Sequence, residues 1–220
     1  MLSPTLLIKH LQHFISDAQL SITPLNTTPI QLWLIDPNNM QRHFTAEETQ
    51  ALLNAPPYWC FCWASGFALA KWLLQHSEQV NDKTIIDFGA GSGVVAIAAA
   101  LAGAKKVIAC DLDPIALQAC QANAYLNQVE LSYCPDLLQI EEKADLLIAA
   151  DILYDSANFS LLEQFPHYAN DCLIADSRVR NFEHAQYQTQ ELLTACTLPD
   201  LQEPEEFKNV RLYRLKSDKK

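Results

Sequence analysis

The sequence predicts an α/β protein: a doubly wound, mostly parallel sheet with a small α/β extension at its N-terminus. Three observations lead there. From Tyr58 onward, short apolar segments alternate with helical ones. Several of those segments, such as Asp145-Leu-Leu-Ile-Ala-Ala150, are apolar almost throughout, as strands covered on both faces must be. And one glycine-rich turn, Gly89-Ala-Gly-Ser-Gly93, falls directly between a strand-like and a helix-like segment.

Taken in order, residues 1–55 form the extension and residues 56–220 the main domain. In the extension, Leu6 to Leu20 reads as a helix, with apolar positions at Leu7, Leu11, Phe14 and Ile15. Ile30 to Ile35 is strand-like. A short helix from Ala46 to Leu53 has Thr45 at its N-cap and Glu48 closing a capping box. Asn54-Ala-Pro-Pro57 ends that unit, because a residue before proline is pushed out of the helical region. The main domain opens with a helix from Phe61 to His76. Strands at Thr84 to Phe88 and Lys106 to Cys110 flank a helix from Val94 to Ala102. Pro114 to Leu126 is helical, with Asp113 as its cap and Pro114 at the first position, where no N–H is needed. Further strands are expected at Val129 to Tyr133, Asp145 to Ala150 and Cys172 to Ala175. Helices are expected at Asn158 to Tyr168 and Phe182 to Ala195. The alternating Val210-Arg-Leu-Tyr-Arg-Leu215 closes the chain as a strand added antiparallel near an edge.

Half of the 220 residues are hydrophobic and 19% are charged, the composition of a folded globular chain. No apolar run approaches the ~20 residues of a membrane span. Met1 to His10 lacks the basic start and unbroken apolar stretch of an export signal, so a cytoplasmic location and no membrane partner are expected. The seven cysteines are scattered, several within apolar runs, which fits buried thiols in a reducing compartment. Cys60-Phe-Cys62 has the wrong spacing for a redox or zinc pair. His10 and His13 stand without neighbouring metal ligands, and no metal is expected. The net charge of −11 disfavours nucleic acid. It suits both a cationic protein target and plain solubility.

The glycine turn narrows the cofactor. A dinucleotide fingerprint needs a small residue at position 94, where Val94 stands, and no Gly-Lys-Ser/Thr follows to make a phosphate-binding loop. S-adenosylmethionine has no pyrophosphate, so a Gly89-x-Gly91-x-Gly93 turn suffices for it. Asp87 can hold its amino group directly or through water. Asp111, at the end of the next strand, can accept from both ribose hydroxyls. Asp136, beside Leu137, is placed for the adenine edge, and Ala150 ends the fourth strand next to the cofactor. Beyond it, Asp151-Ile-Leu-Tyr154 sets a carboxylate and a phenol where an amine would line up with the sulfonium methyl. Asn54-Ala-Pro-Pro-Tyr58 resembles an amino-methyltransferase loop, but it precedes the glycine turn and carries an inserted alanine; it reads as a linker. Tyr58, Trp59, Phe61 and Trp63 form an aromatic group ahead of the sheet. That group fits a cation–π lid, while Trp59 and Phe61 fit core packing equally well, and Trp33 and Trp72 read as packing residues.

Pro56 to Ala70, Asp87 to Ala98, Cys110-Asp-Leu-Asp-Pro114 and Asp151 to Tyr154 together resemble the seven-strand protein-lysine methyltransferases with a DxxY motif. The similarity is greatest to the branch of the electron transfer flavoprotein β-subunit lysine methyltransferases, over residues 56–180. The resemblance implies a Rossmann-like sheet, S-adenosylmethionine as cofactor and a lysine of a protein as acceptor. It puts Trp63 against the cofactor, Gly89 and Asp111 among its binding residues, and Asp151 and Tyr154 in the lysine pocket. Ribosomal protein L11 methyltransferase has a similar turn but Asn in place of Asp151, which favours the DxxY group. The alternatives are a small amine or heterocycle as acceptor, or a methyltransferase of the ribosomal protein L11 type.

Overall fold

A computed structural model describes residues 4–179 and 182–216; residues 1–3, Arg180, Asn181 and residues 217–220 lie outside the described residues, including the first part of the N-terminal stretch and the end of the family resemblance. The extension contains α1 (Thr5–Leu11), β1 (Leu20–Pro24), β2 (Gln31–Ile35) and α2 (Ala46–Asn54). The helix expected from Leu6 to Leu20 stops at Leu11. The chain then turns, because its backbone finds partners elsewhere: the Ser16 N–H and hydroxyl both donate to the Glu48 carboxylate, at 3.0 and 3.1 Å. Leu11, Ile15 and Ala18 are all buried. The apolar spacing that suggested a longer helix is thus satisfied by a helix and a turn. The capping box of α2 is present as expected, Thr45 and Glu48 each accepting the other's backbone N–H.

The main sheet has the order β5-β4-β3-β6-β7-β9-β8, with β3 (Thr84–Phe88), β4 (Lys106–Cys110), β5 (Ser132–Cys134), β6 (Ala144–Ala150), β7 (Ala169–Asp176), β8 (Tyr187–Thr194) and β9 (Asn209–Leu215). β3 to β7 pair in parallel, while β9 lies between β7 and β8 and runs antiparallel to both. The apolar strands have two buried faces. In β6, Leu146 and Ile148 enter one core and Leu147 and Ala149 the opposite one. The first core is shared with α3 (Ala64–Gln75) and α4 (Val94–Leu101), and the second with Leu162 and Phe165 of α6 (Phe159–Tyr168).

Three expectations need correcting. The helix expected from Phe61 begins at Ala64, because Cys62 and Leu198 exchange backbone hydrogen bonds at 2.8 Å and hold the preceding chain extended. The strand expected from Val129 begins at Ser132, since the Val129 N–H bonds the Ala124 carbonyl and rounds off α5 (Pro114–Leu126). Most consequentially, the helix expected from Phe182 to Ala195 is absent, and β8 takes its place at the sheet edge. Gln188, Gln190, Glu191 and Leu192 are individually good helix formers, but pairing along the whole of β9 outweighs that preference. The terminal strand β9 is therefore one step inside the edge.

The extension is docked through its own sheet edge. Asn127 accepts the Gln31 N–H and donates to the Gln31 carbonyl. Asn123 of α5, fully buried, accepts the Trp33 N–H at 2.7 Å and donates to the Ser92 carbonyl, inside the glycine turn, at 2.8 Å. Side-chain amides thus cap an edge that would otherwise be open.

Candidate functional site

Parallel strands β3, β4, β5 and β6 all end on one side of the sheet, and their following loops enclose a cavity of about 840 Å³. The glycine turn forms part of its wall. Gly89 and Ala90 donate to the Cys110 carbonyl at the end of β4, which folds the turn against the neighbouring strand. Gly93 has φ +80°, and a Cβ there would lie 3.1 Å from both Cα and Sγ of Cys120, so this position needs glycine for conformation and for space. Gly93 supports the turn from behind and lies outside the cavity lining, whereas Gly89 and Gly91 face it.

The carboxylates near the turn are differently employed. Asp87 is 2% exposed; it accepts the Ala96 N–H at 2.8 Å, and burial pushes its carboxyl up to about 7. It lines a small recess continuous with Gly89, Gly91 and Ala150. Asp111 accepts the Gly91 N–H with one oxygen and the Asp113 N–H with the other, both at 2.9 Å, and burial raises it as well. Asp113 caps α5 by accepting the Ile115 N–H at 2.8 Å, as expected of it. Asp136 accepts the Leu138 N–H and lines the cavity with Leu137. A buried carboxylate able to accept from an ammonium, a second at the strand end able to accept from hydroxyls, and apolar Leu112 and Leu137 nearby make an acceptor set and surface that fit S-adenosylmethionine.

Across the cavity stands Asp151. Its backbone is left-handed at φ +53°, unusual for a residue with a side chain. The carboxylate accepts the Ser65 N–H at 2.9 Å, the Ser65 hydroxyl at 2.5 Å and the Ser177 hydroxyl at 3.2 Å. Ser65 lies in the first turn of α3, so Asp151 caps that helix from the end of β6. Burial pushes its carboxyl up to about 6, against the Ser65 hydrogen bonds, which favour the ionised form. Tyr154 is 55% exposed at the rim, its ring 5.9 Å from that of Tyr58, which packs edge-on to Trp63 at 5.7 Å. Trp63 donates its indole N–H to the Tyr58 carbonyl at 2.9 Å and lines the cavity beside Ala150 and Asp151. Trp59 is buried in the extension's core, with Phe61 packed against it.

Trp63, Gly89, Gly91, Asp111, Asp136, Ala150, Asp151 and Tyr154 therefore meet on one cavity, with Asp87 in its recess. Sequence reasoning missed Ser65, Ser177, Arg178 and Glu203. Ser177 and Arg178 follow directly on β7, and the rule that ligands sit beyond the carboxyl ends of parallel strands points at them. Six of the seven thiols are buried and all are free. His10 and His13 lie ring to ring at 5.9 Å, and among the described residues no group of metal ligands gathers. No helix among the described residues is long and apolar enough to cross a membrane.

Comparison with known proteins gives the same class. The family described as ribosomal protein L11 methyltransferase (PrmA) matches residues 69–170. The chain is 35% identical over 144 residues to the electron transfer flavoprotein beta subunit lysine methyltransferase of Homo sapiens, a match that covers 63% of this chain and 53% of that protein. With the enzyme of the same name from Danio rerio it shares 31% identity over 207 residues, covering 90% of this chain and 79% of that one. Among solved structures, magnesium protoporphyrin IX methyltransferase from Synechocystis PCC 6803 with bound S-adenosylhomocysteine matches at a TM-score of 0.53 and 13% identity, over 80% of this chain and 90% of that chain. That last likeness is one of fold.

Proposed function

The chain belongs to the electron transfer flavoprotein beta subunit lysine methyltransferase family, and from that membership we propose that it methylates the ε-amine of a lysine on a protein substrate, using S-adenosylmethionine. One observation supports the reading above others: Asp151, Tyr154 and Trp63 share a cavity wall with the glycine turn. In this reading Asp87 takes the cofactor's amino group, Asp111 its ribose and Asp136 with Leu137 its adenine edge. Trp63, Gly89, Gly91 and Ala150 form the surrounding wall, and Gly93 keeps the turn in shape. Residues 1–55 are an extension and residues 56–220 the methyltransferase domain.

Bound cofactor supplies a methyl group activated by a sulfonium. The lysine must arrive as a neutral amine, so its ammonium first loses a proton to water. The lone pair so freed would be the acceptor of that methyl group, and the residues of the cavity serve to aim it. Asp151 accepts an N–H of the amine and fixes its direction, while Ser65 and Ser177 hold the carboxylate still. The rings of Tyr58 and Tyr154 flank the aliphatic stem at the rim. An overall charge of −11 favours a basic protein target over nucleic acid, and free thiols suit a reducing compartment such as the cytoplasm.

The test is transfer of radiolabel from S-adenosylmethionine to purified electron transfer flavoprotein beta subunit, to ribosomal protein L11 and to a lysate, followed by mass spectrometry of the labelled residue. Methyl-lysine on a protein supports the reading. Label confined to small molecules sinks it. The match to the L11 methyltransferase family is the reason that protein is tested alongside.

A further inference from the structure

Arg178 has no part in the chemistry described so far, yet it lines the same cavity as Asp151, Trp63 and Tyr154. It leaves β7 just after Ser177. Its guanidinium lies 4.3 Å from the Phe207 ring centroid and 5.7 Å from that of Trp63. Its Nη2 pairs with the Glu203 carboxylate, whose other oxygen accepts the Thr197 hydroxyl at 2.6 Å. Two separate stretches of chain, at Trp63 and at Glu203 to Phe207, thus immobilise one long cation, with its side chain only 21% exposed. Ordering a rotamer-rich arginine is unfavourable in itself, and an exposed surface pair would not require it.

We propose that Arg178 is a positioning residue for the transfer: its fixed guanidinium balances the Asp151 carboxylate across the acceptor cavity, so that an amine entering there is held neutral and not as an ammonium. The proposal rests on the lysine reading above. A lone carboxylate in a half-dry cleft favours the protonated amine, whose lone pair is then unavailable. A cation held on the same cavity lessens that bias. The other groups facing Asp151 are Asp176 at the end of β7, the buried Cys62 thiol before α3, and the Ser65 and Ser177 hydroxyls. Burial and then Asp176 raise the Asp151 carboxyl, whereas the Ser65 hydrogen bonds and Arg178 lower it. Arg178 is itself faced by Glu203 and Asp176. Because Glu203 cancels part of the guanidinium charge, removing Glu203 and removing Arg178 act in opposite directions.

Three variants test this: Arg178→Met, Arg178→Lys and Glu203→Gln. Two readouts are taken on each, the pH dependence of single-turnover lysine methylation and the carboxyl titration of Asp151 by carbon-13 NMR without acceptor. Arg178→Met is expected to move both midpoints up, by less than about one pH unit because Arg178 is the weakest of the influences on Asp151 and Glu203 offsets part of its charge. Arg178→Lys returns both most of the way, and Glu203→Gln moves both down. Midpoints unmoved in Arg178→Met, or an Arg178→Lys variant indistinguishable from it, overturn the proposal. The NMR titration needs no substrate. A wild type that methylates no lysine therefore sinks the lysine reading, whereas an unmoved Asp151 midpoint sinks this one.

Discussion

Asp151→Asn is expected to stabilise the protein at pH 7 while abolishing transfer. The carboxyl of Asp151 is pushed from the ordinary 3.8 up to about 6, chiefly by burial. At face value that displacement is a cost of about 3 kcal/mol to the folded state once the group is ionised in both states. Because the carboxyl borders an open cavity, solvent screening reduces this to roughly 1–2 kcal/mol. The sign is fixed by proton binding. Between pH 3.8 and about 6 the folded chain holds the proton that the unfolded chain has released, so stability falls as pH rises through that window and stays lower above it. Asn escapes the loss. It also tolerates φ +53° and keeps a carbonyl acceptor for the Ser65 N–H. Asp151→Ala escapes it too, but leaves the start of α3 uncapped, at about 0.5–2 kcal/mol, and strains a Cβ in the left-handed region. It should lie about 1–3 kcal/mol below Asn. Urea unfolding at pH 4 and pH 7 reads the difference. Asn and wild type should be alike at the lower pH, with Asn ahead by roughly 3–6 °C in a parallel melting experiment at the higher one. An Asn variant less stable than wild type at pH 7, or one equally ahead at pH 4, refutes the reasoning. An Asn variant with full transfer activity refutes the role given to the carboxylate.

Other predictions concern the cofactor side. Asp87 sits near half-protonation at neutral pH, and a cationic amino group favours its charged form, so S-adenosylmethionine affinity should rise as pH rises through about 7; calorimetry from pH 6 to 8 would show a flat response in Asp87→Asn, and a flat wild type counts against the assignment. Asp111→Ala should weaken cofactor binding by about 1–3 kcal/mol; if Asp151→Asn weakened it equally, the division between cofactor and acceptor residues would be wrong. Gly93→Ala meets Cys120 at 3.1 Å with φ +80° and should lose about 2–4 kcal/mol in chemical unfolding, a loss that an unchanged midpoint would contradict. Tyr154→Phe keeps the ring beside Tyr58 and should retain transfer within about tenfold, whereas Tyr154→Ala should lose more than that, chiefly in KM.

Where local chemistry dominated, the chain was readable. Thr45 and Glu48, or Asp113 and Pro114, mark helix starts by short-range hydrogen bonding that needs no tertiary context. The β3-turn-α4 unit was legible because glycine adopts its positive φ angles without the strain a side chain brings. β8 was not, since Gln188 to Leu192 carry a helical preference that only pairing with β9 reverses, and no tight-turn signal links the two strands. The acceptor site shows the same divide. Asp151 and Tyr154 follow a strand end and could be found by counting strands. Ser65 reaches Asp151 from 86 residues away, and Glu203 reaches Arg178 from the far side of β8, with no periodicity to reveal it.

Asn123 carries a consequence for anyone who shortens or tags this chain. Its enclosed amide spends its oxygen on Trp33 and its nitrogen on Ser92, so the hairpin and the glycine turn are two ends of one polar joint. Peeling β2 from α5 breaks that hydrogen bond and frees the amide that holds the Ser92 carbonyl, a net loss of about 0.5–1.5 kcal/mol that falls on whatever holds the turn in shape. A deletion of the extension should therefore register first as weakened cofactor retention and only second as lost stability. In the reverse direction, saturating the pocket should slow deuterium uptake at the Trp33 amide, which lies outside the cavity lining.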